Sequence, residues 1–145
     1  MTNTAFSSPE DALSWLARYS PPEIVRMFRR LGLKAARMHH LECALARWFR
    51  SQGFEMWVGT DSCARRPAAG EPEEWTRLPW NVARFVAGFD GGAYRDLIDS
   101  EFEKRLFVSD PMHALKVYMA ETSFVQESVP PLHENAESDD GDLVA

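Results

Sequence analysis

Ser20-Pro21-Pro22-Glu23-Ile24-Val25-Arg26-Met27-Phe28-Arg29-Arg30-Leu31-Gly32 is the stretch on which the fold turns. A serine followed three residues later by glutamate forms a capping box, and proline suits the first helical position because its missing N–H would be unpaired there anyway. Ile24, Met27, Phe28 and Leu31 then fall at i, i+3, i+4 and i+7, one apolar stripe of a helix. Gly32 ends this helix or bends it. Such a stripe must be covered by another packed element, and the flanking sequence supplies helices for that purpose.

Upstream, Ser8-Pro9-Glu10-Asp11 repeats the same start signal, and Leu13, Trp15, Leu16 and Tyr19 follow it. Downstream, Met38, Leu41, Leu45, Trp48 and Phe49 predict a second long helix over 33–52, closed by Gly53. Phe54 to Val58 alternates like a strand, and the available partner is the other β-leaning run, Thr122 to Val129. Residues 60–79 are irregular. Val82, Phe85, Val86 and Phe89 predict a helix from Pro79, and after Asp90-Gly91-Gly92 a longer stripe runs from Tyr94 to Leu106. Asp110-Pro111 starts a last helix carrying Met112, Leu115, Tyr118 and Met119. The expected fold is mainly α, a compact bundle of five to six helices with at most one small two-stranded β pair. One domain covers residues 1–129, with structure starting near residue 7.

From 130 to 145 the chain carries Glu134, Glu137, Asp139, Asp140 and Asp142 with no lysine or arginine, so a disordered acidic tail is expected. The rest, at 45% hydrophobic over 145 residues, has enough apolar surface for a core without metal or disulfide staples. The first residues lack a basic and then apolar leader pattern, and no apolar run would span a bilayer. A cytoplasmic protein with no membrane partner is expected.

Charge is divided along the chain. Residues 1–66 hold ten Lys/Arg against six Asp/Glu, a net +4, and residues 67–145 hold six against sixteen, a net −10. The basic side is concentrated in Arg26, Arg29, Arg30, Lys34, Arg37, Arg47 and Arg50, opposed over that stretch by Glu42 alone. Two helices meeting at Leu31-Gly32-Leu33 outline a helix-turn-helix over residues 23–52. Lys34, Arg37, His39 and His40 would then face a major groove, and Arg26, Arg29 or Arg30 the phosphates. Phe28 is bulky for such a tight helix crossing, and a solvated basic face on a core helix pair explains the same charges.

Catalytic and metal signatures are absent from the sequence. His39 and His40 share a helical face with Cys43, but a structural zinc takes four ligands, and Cys63, His113 and His133 lack ligand spacing. No cofactor or metal is expected. Cys63 lies beside Arg65 and Arg66, which would favour its thiolate, yet it has no recognisable base. The acids Asp96, Asp99, Glu101 and Glu103 are assigned to a solvated helix face. Five tryptophans are many for a core of this size, and Trp75-Thr76-Arg77-Leu78-Pro79-Trp80 sets two of them around an arginine. Tryptophan and arginine dominate binding hot spots, although Trp75 and Trp80 would equally pin a loop to the core.

The function expected is that of a small non-enzymatic regulator, adaptor or inhibitor that binds another macromolecule, a protein first. A DNA-binding regulator is the alternative. The contact residues expected are Arg26, Arg29, Arg30, Lys34, Arg37, His40, Arg47, Arg50, Trp75, Arg77 and Trp80.

Overall fold

The computed structural model describes residues 5–128. Among these, six helices and a three-stranded antiparallel sheet follow in the order α1 (Pro9–Leu16), α2 (Pro21–Arg30), α3 (Ala44–Ser51), β1 (Met56–Val58), β2 (Ser62–Arg65), β3 (Thr76–Arg77), α4 (Trp80–Asp90), α5 (Ser100–Ser109) and α6 (Pro111–Ser128). A 3-10 turn, Arg95–Leu97, precedes α5. No helix among the described residues is long and apolar enough to cross a membrane. The acidic segment 130–145 lies outside the described residues.

The local signals of α2 form as expected. Glu23 N–H donates to the Ser20 hydroxyl and the Ser20 N–H to Glu23 Oε1 (2.9 Å), completing the capping box. At the other end Gly32 takes φ +68°, and Leu33 and Gly32 donate back to the Phe28 and Arg29 carbonyls (3.0 and 2.9 Å). Those bonds close the helix rather than bend it. Ile24 and Phe28 of the stripe are buried, with Val25 beside them, whereas Leu31 stands exposed.

The helix expected over 33–52 exists only over Ala44–Ser51. The cause is competition from distant partners. Ala35 donates its N–H to the Leu97 carbonyl and accepts from the Asp99 N–H, both 2.8 Å. Arg37 N–H goes to Glu103, and Met38 N–H to Asp90 Oδ1 (2.8 Å). Backbone groups satisfied in this way cannot form helical bonds, so residues 33–43 cross the core as an irregular segment. The same Ala35 contact holds 97–99 extended and divides the stripe expected from 94 to 106 into the 3-10 turn and α5. Asp99 then caps α5 through the Phe102 N–H.

The strand near 54–58 finds a different partner from the one the sequence suggested. β1 pairs with β2 (Trp57 opposite Ala64) and β2 with β3 (Cys63 opposite Thr76), while 122–128 is helical. The irregular 60–79 stretch thus contains two of the three strands. The core centres on Phe28, Phe49, Phe85, Phe89, Leu16, Ile24, Leu45, Leu97 and Val82, all fully buried. Trp48 stacks between Trp15 (6.3 Å) and Phe28 (6.0 Å), and Phe28 meets Phe85 edge-on at 5.1 Å. Aromatic pairs in these geometries add to the burial of their area.

Candidate functional site

Most of the basic stretch is neutralised within the molecule. Arg29 bridges to Asp96, and Lys34 Nζ donates to the Asp96 carbonyl at 2.6 Å. Arg47 pairs with Glu42 (2.9 Å) and Asp99 (3.6 Å) while its guanidinium lies over the Phe102 ring. Arg50 pairs with Glu42 (3.3 Å) and Glu55 (3.5 Å). Arg26 and Arg30 are exposed and form no ion pair among the described residues. The surface therefore carries much less free positive charge than the sequence suggests.

Arg37 is buried. Its backbone N–H (2.7 Å), Nε (3.1 Å) and Nη2 (2.9 Å) all donate to the Glu103 carboxylate, and Nη1 donates to Glu121 at 3.1 Å. Burial acts against the charge on Arg37, but the bonds and charges of Glu103 and Glu121 together outweigh it and hold the pKa above its ordinary value. The Arg37 carbonyl meets His113 Nε2 at 2.8 Å. α5 and α6 are thus tied to the 33–43 segment through one arginine. Glu103, assigned above to a solvated face, is 3% exposed. The missed signal was its spacing: Leu106 and Phe107 follow at i+3 and i+4, so Glu103 belongs to the inward stripe.

Beside this centre is a cavity of about 120 Å³ whose wall includes Met38, His39, His40, Cys43, Thr60 and Asp90. Met38 adopts φ +57°, in the left-handed region that costs a side chain with a Cβ. Burial pushes Asp90 up to about 6, against the Met38 N–H and Arg37, which favour its ionised form. Burial also lowers His39, aided by His40 and His113, and its Nδ1 accepts the Leu41 and Glu42 N–H groups. Burial and then Asp90 push the Cys43 thiol up to about 12, which keeps it neutral at physiological pH. Cys63, expected in an open loop with a favoured thiolate, is instead buried in β2 and pushed up to about 11 by burial and Glu10. Among the described residues no group of three His, Cys, Asp or Glu is placed to hold a metal ion.

The tryptophans divide between core and surface. Trp15 and Trp48 belong to the core stack, and Trp57 is half-buried between His40 (5.5 Å) and Trp75 (6.5 Å). Trp75 leans on Trp57, donates Nε1 to Glu73 (2.9 Å) and is still 43% exposed. Trp80, at the start of α4, is 72% exposed with the Arg84 guanidinium 4.8 Å above its ring. Arg77 pairs with Ser62 in the sheet, and its one ion pair among the described residues is with Asp61, at 3.7 Å. Buried Leu78 pins the segment, leaving both indoles and both guanidinia at the surface. Arg84 is the member of this group that the sequence reading missed, one helical turn after Trp80.

No protein-family model, curated protein or solved structure matches this chain.

Proposed function

We propose that this chain is a small non-enzymatic regulator or adaptor that acts by binding another protein, with Trp75, Arg77, Trp80 and Arg84 as its contact surface. The observation that carries the reading is Trp80. A tryptophan 72% exposed, under an arginine and two residues from the buried Leu78, contributes little to its own fold. Exposed apolar area of that kind, fixed on a rigid edge, is what interface hot spots are built from. The two buried, neutral thiols also favour binding over nucleophilic catalysis.

The alternative, a DNA-binding regulator, has less support than its sequence suggested. Lys34, Arg37, Arg47 and Arg50 are engaged by acids or carbonyls of the protein itself, and Arg26 and Arg30 alone would have to meet phosphates. Phosphate binding scales with the number of free cations.

The test is affinity capture from the native host with wild type and with the triple variant Trp75→Ala, Arg77→Ala, Trp80→Ala. A protein retained by wild type and lost by the triple variant, at unchanged helicity and Tm, supports this surface. Equal retention by both rules it out. Salt-dependent retention on duplex DNA, lost in Arg26→Ala with Arg30→Ala, would favour the alternative.

A further inference from the structure

The outer side of the α5–α6 hairpin holds a second apolar surface, remote in sequence from the tryptophan segment. Val108 is 83% exposed, Met112 63%, Leu115 47%, Tyr118 65% and Met119 57%. The inward face of α6 is set by His113 and Val117, four residues apart and both buried. On the opposite face Met112, Leu115 and Met119 repeat at three and four residues, the seam spacing of paired helices, with Tyr118 alongside. A helix apolar on two faces normally has both covered, and the described residues cover one.

We infer that this face is a two-fold interface between two copies of the chain, with α6 antiparallel to α6 of the second copy. Area is the first argument. The five side chains expose on the order of 600 Å² per copy, so a symmetric pair that covers all of them buries at most roughly 1,200 Å², the lower end for stable protein interfaces. Charge is the second. Between Met112 and Thr122, Glu121 is already bound to Arg37 and Arg95, which leaves Lys116 as the one charged side chain without an ion pair among the described residues. A partner selected by charge has almost nothing to recognise here, whereas a copy of the same neutral seam is complementary to it. Geometry is the third. An antiparallel pair centred near residue 117 sets Leu115 against Met119 of the other copy, twice over. A two-fold axis also uses the patch on both copies at once and so closes the assembly.

Sedimentation equilibrium of the full chain from micromolar to sub-millimolar concentration tests this. The expected mass at the upper end is twice 16.5 kDa. Leu115→Glu combined with Met119→Glu should return a single 16.5 kDa species with unchanged helicity. Tyr118→Lys, at a more exposed position, serves should that pair fail to fold, and should weaken association by more than about tenfold. Trp80→Ala should leave the mass at two copies, which separates this face from the tryptophan surface. A single-chain mass for wild type at every concentration overturns the proposal, including the case in which the face binds another protein or a lipid surface. A two-copy mass that survives both Leu115→Glu/Met119→Glu and Tyr118→Lys overturns it equally.

Discussion

Arg37 gives its backbone N–H, its Nε and its Nη2 to the carboxylate of Glu103, a residue 66 positions further along the chain. Both side chains are buried, with 8% and 4% of their surface exposed. A charge pair at this depth contributes modest net stability, because desolvation offsets most of the attraction. Its larger consequence is specificity of place. The 33–43 segment, α5 and α6 have one arrangement in which the guanidinium, the backbone N–H and the carbonyl of Arg37 are all satisfied.

Removing one partner leaves the other charged and buried. Arg37→Met should therefore cost about 3–5 kcal/mol in urea unfolding, and Glu103→Gln less, because Glu121 still pairs with the guanidinium. The double variant Arg37→Met with Glu103→Leu should cost clearly less than the two single effects combined, since no orphan charge remains. A loss below about 1 kcal/mol for Arg37→Met would show that water reaches the pair.

Asp90 makes stability depend on pH. Its folded pKa of about 6 lies above the ordinary 3.8, so the folded state holds the proton more tightly. The stability this gives is fully present below the ordinary pKa and is lost as pH rises through about 6. A shift of about two units corresponds to roughly 3 kcal/mol. Asp90→Asn keeps an oxygen for the Met38 N–H and removes the charge. It should match wild type near pH 4 and exceed its stability by roughly 1–3 kcal/mol above pH 7. Taking the difference between the two proteins cancels His39, whose lowered pKa produces the opposite slope. A difference that stays flat from pH 4 to 7 would refute the assignment.

Gly88 leaves no room for a methyl group, because a Cβ there would lie 2.6 Å from the Tyr94 hydroxyl oxygen and 2.9 Å from its Cζ. Gly88→Ala should destabilise by about 1–3 kcal/mol even though alanine is the better helix former. Adding Tyr94→Phe removes the closest atom and should recover part of the loss, as read from the denaturation midpoints. Wild-type stability in Gly88→Ala alone would count against this packing.

Both thiols should be inert in the folded protein. Cys43 at about 12 and Cys63 at about 11 are buried and neutral at physiological pH. A chromogenic thiol reagent at neutral pH should modify them only as fast as the protein opens, and at once in denaturant. Native-state modification of Cys63 at the rate of a free thiol would restore it as a candidate nucleophile.

How much was legible in the sequence depended on how far each residue had to reach. The starts of α1 and α2, the end of α3 at Gly53 and the inward residues of α4 all follow from bonds and spacings within a few positions, and so does the closing of α2 at Gly32, which the sequence left open between an end and a bend. The exposed segment around Trp75 and Trp80 was visible as composition, but whether its indoles faced inward was not. That was settled by Leu78, which occupies the buried position between them.

The sequence alone determined a mainly helical chain, where its first two helices begin and which residues make their apolar stripes. Tertiary structure decided that residues 33–43 are not helical, that β1 pairs with β2 and that Arg37 and Glu103 lie inside. Helix caps and stripes are satisfied by neighbours along the chain, whereas the 33–43 backbone and the buried Arg37 take whichever partners the fold brings to them, in Glu103 from 66 residues away. The β1–β2 pairing is local, but a strand leaves its choice between a near and a far partner to the packing around it.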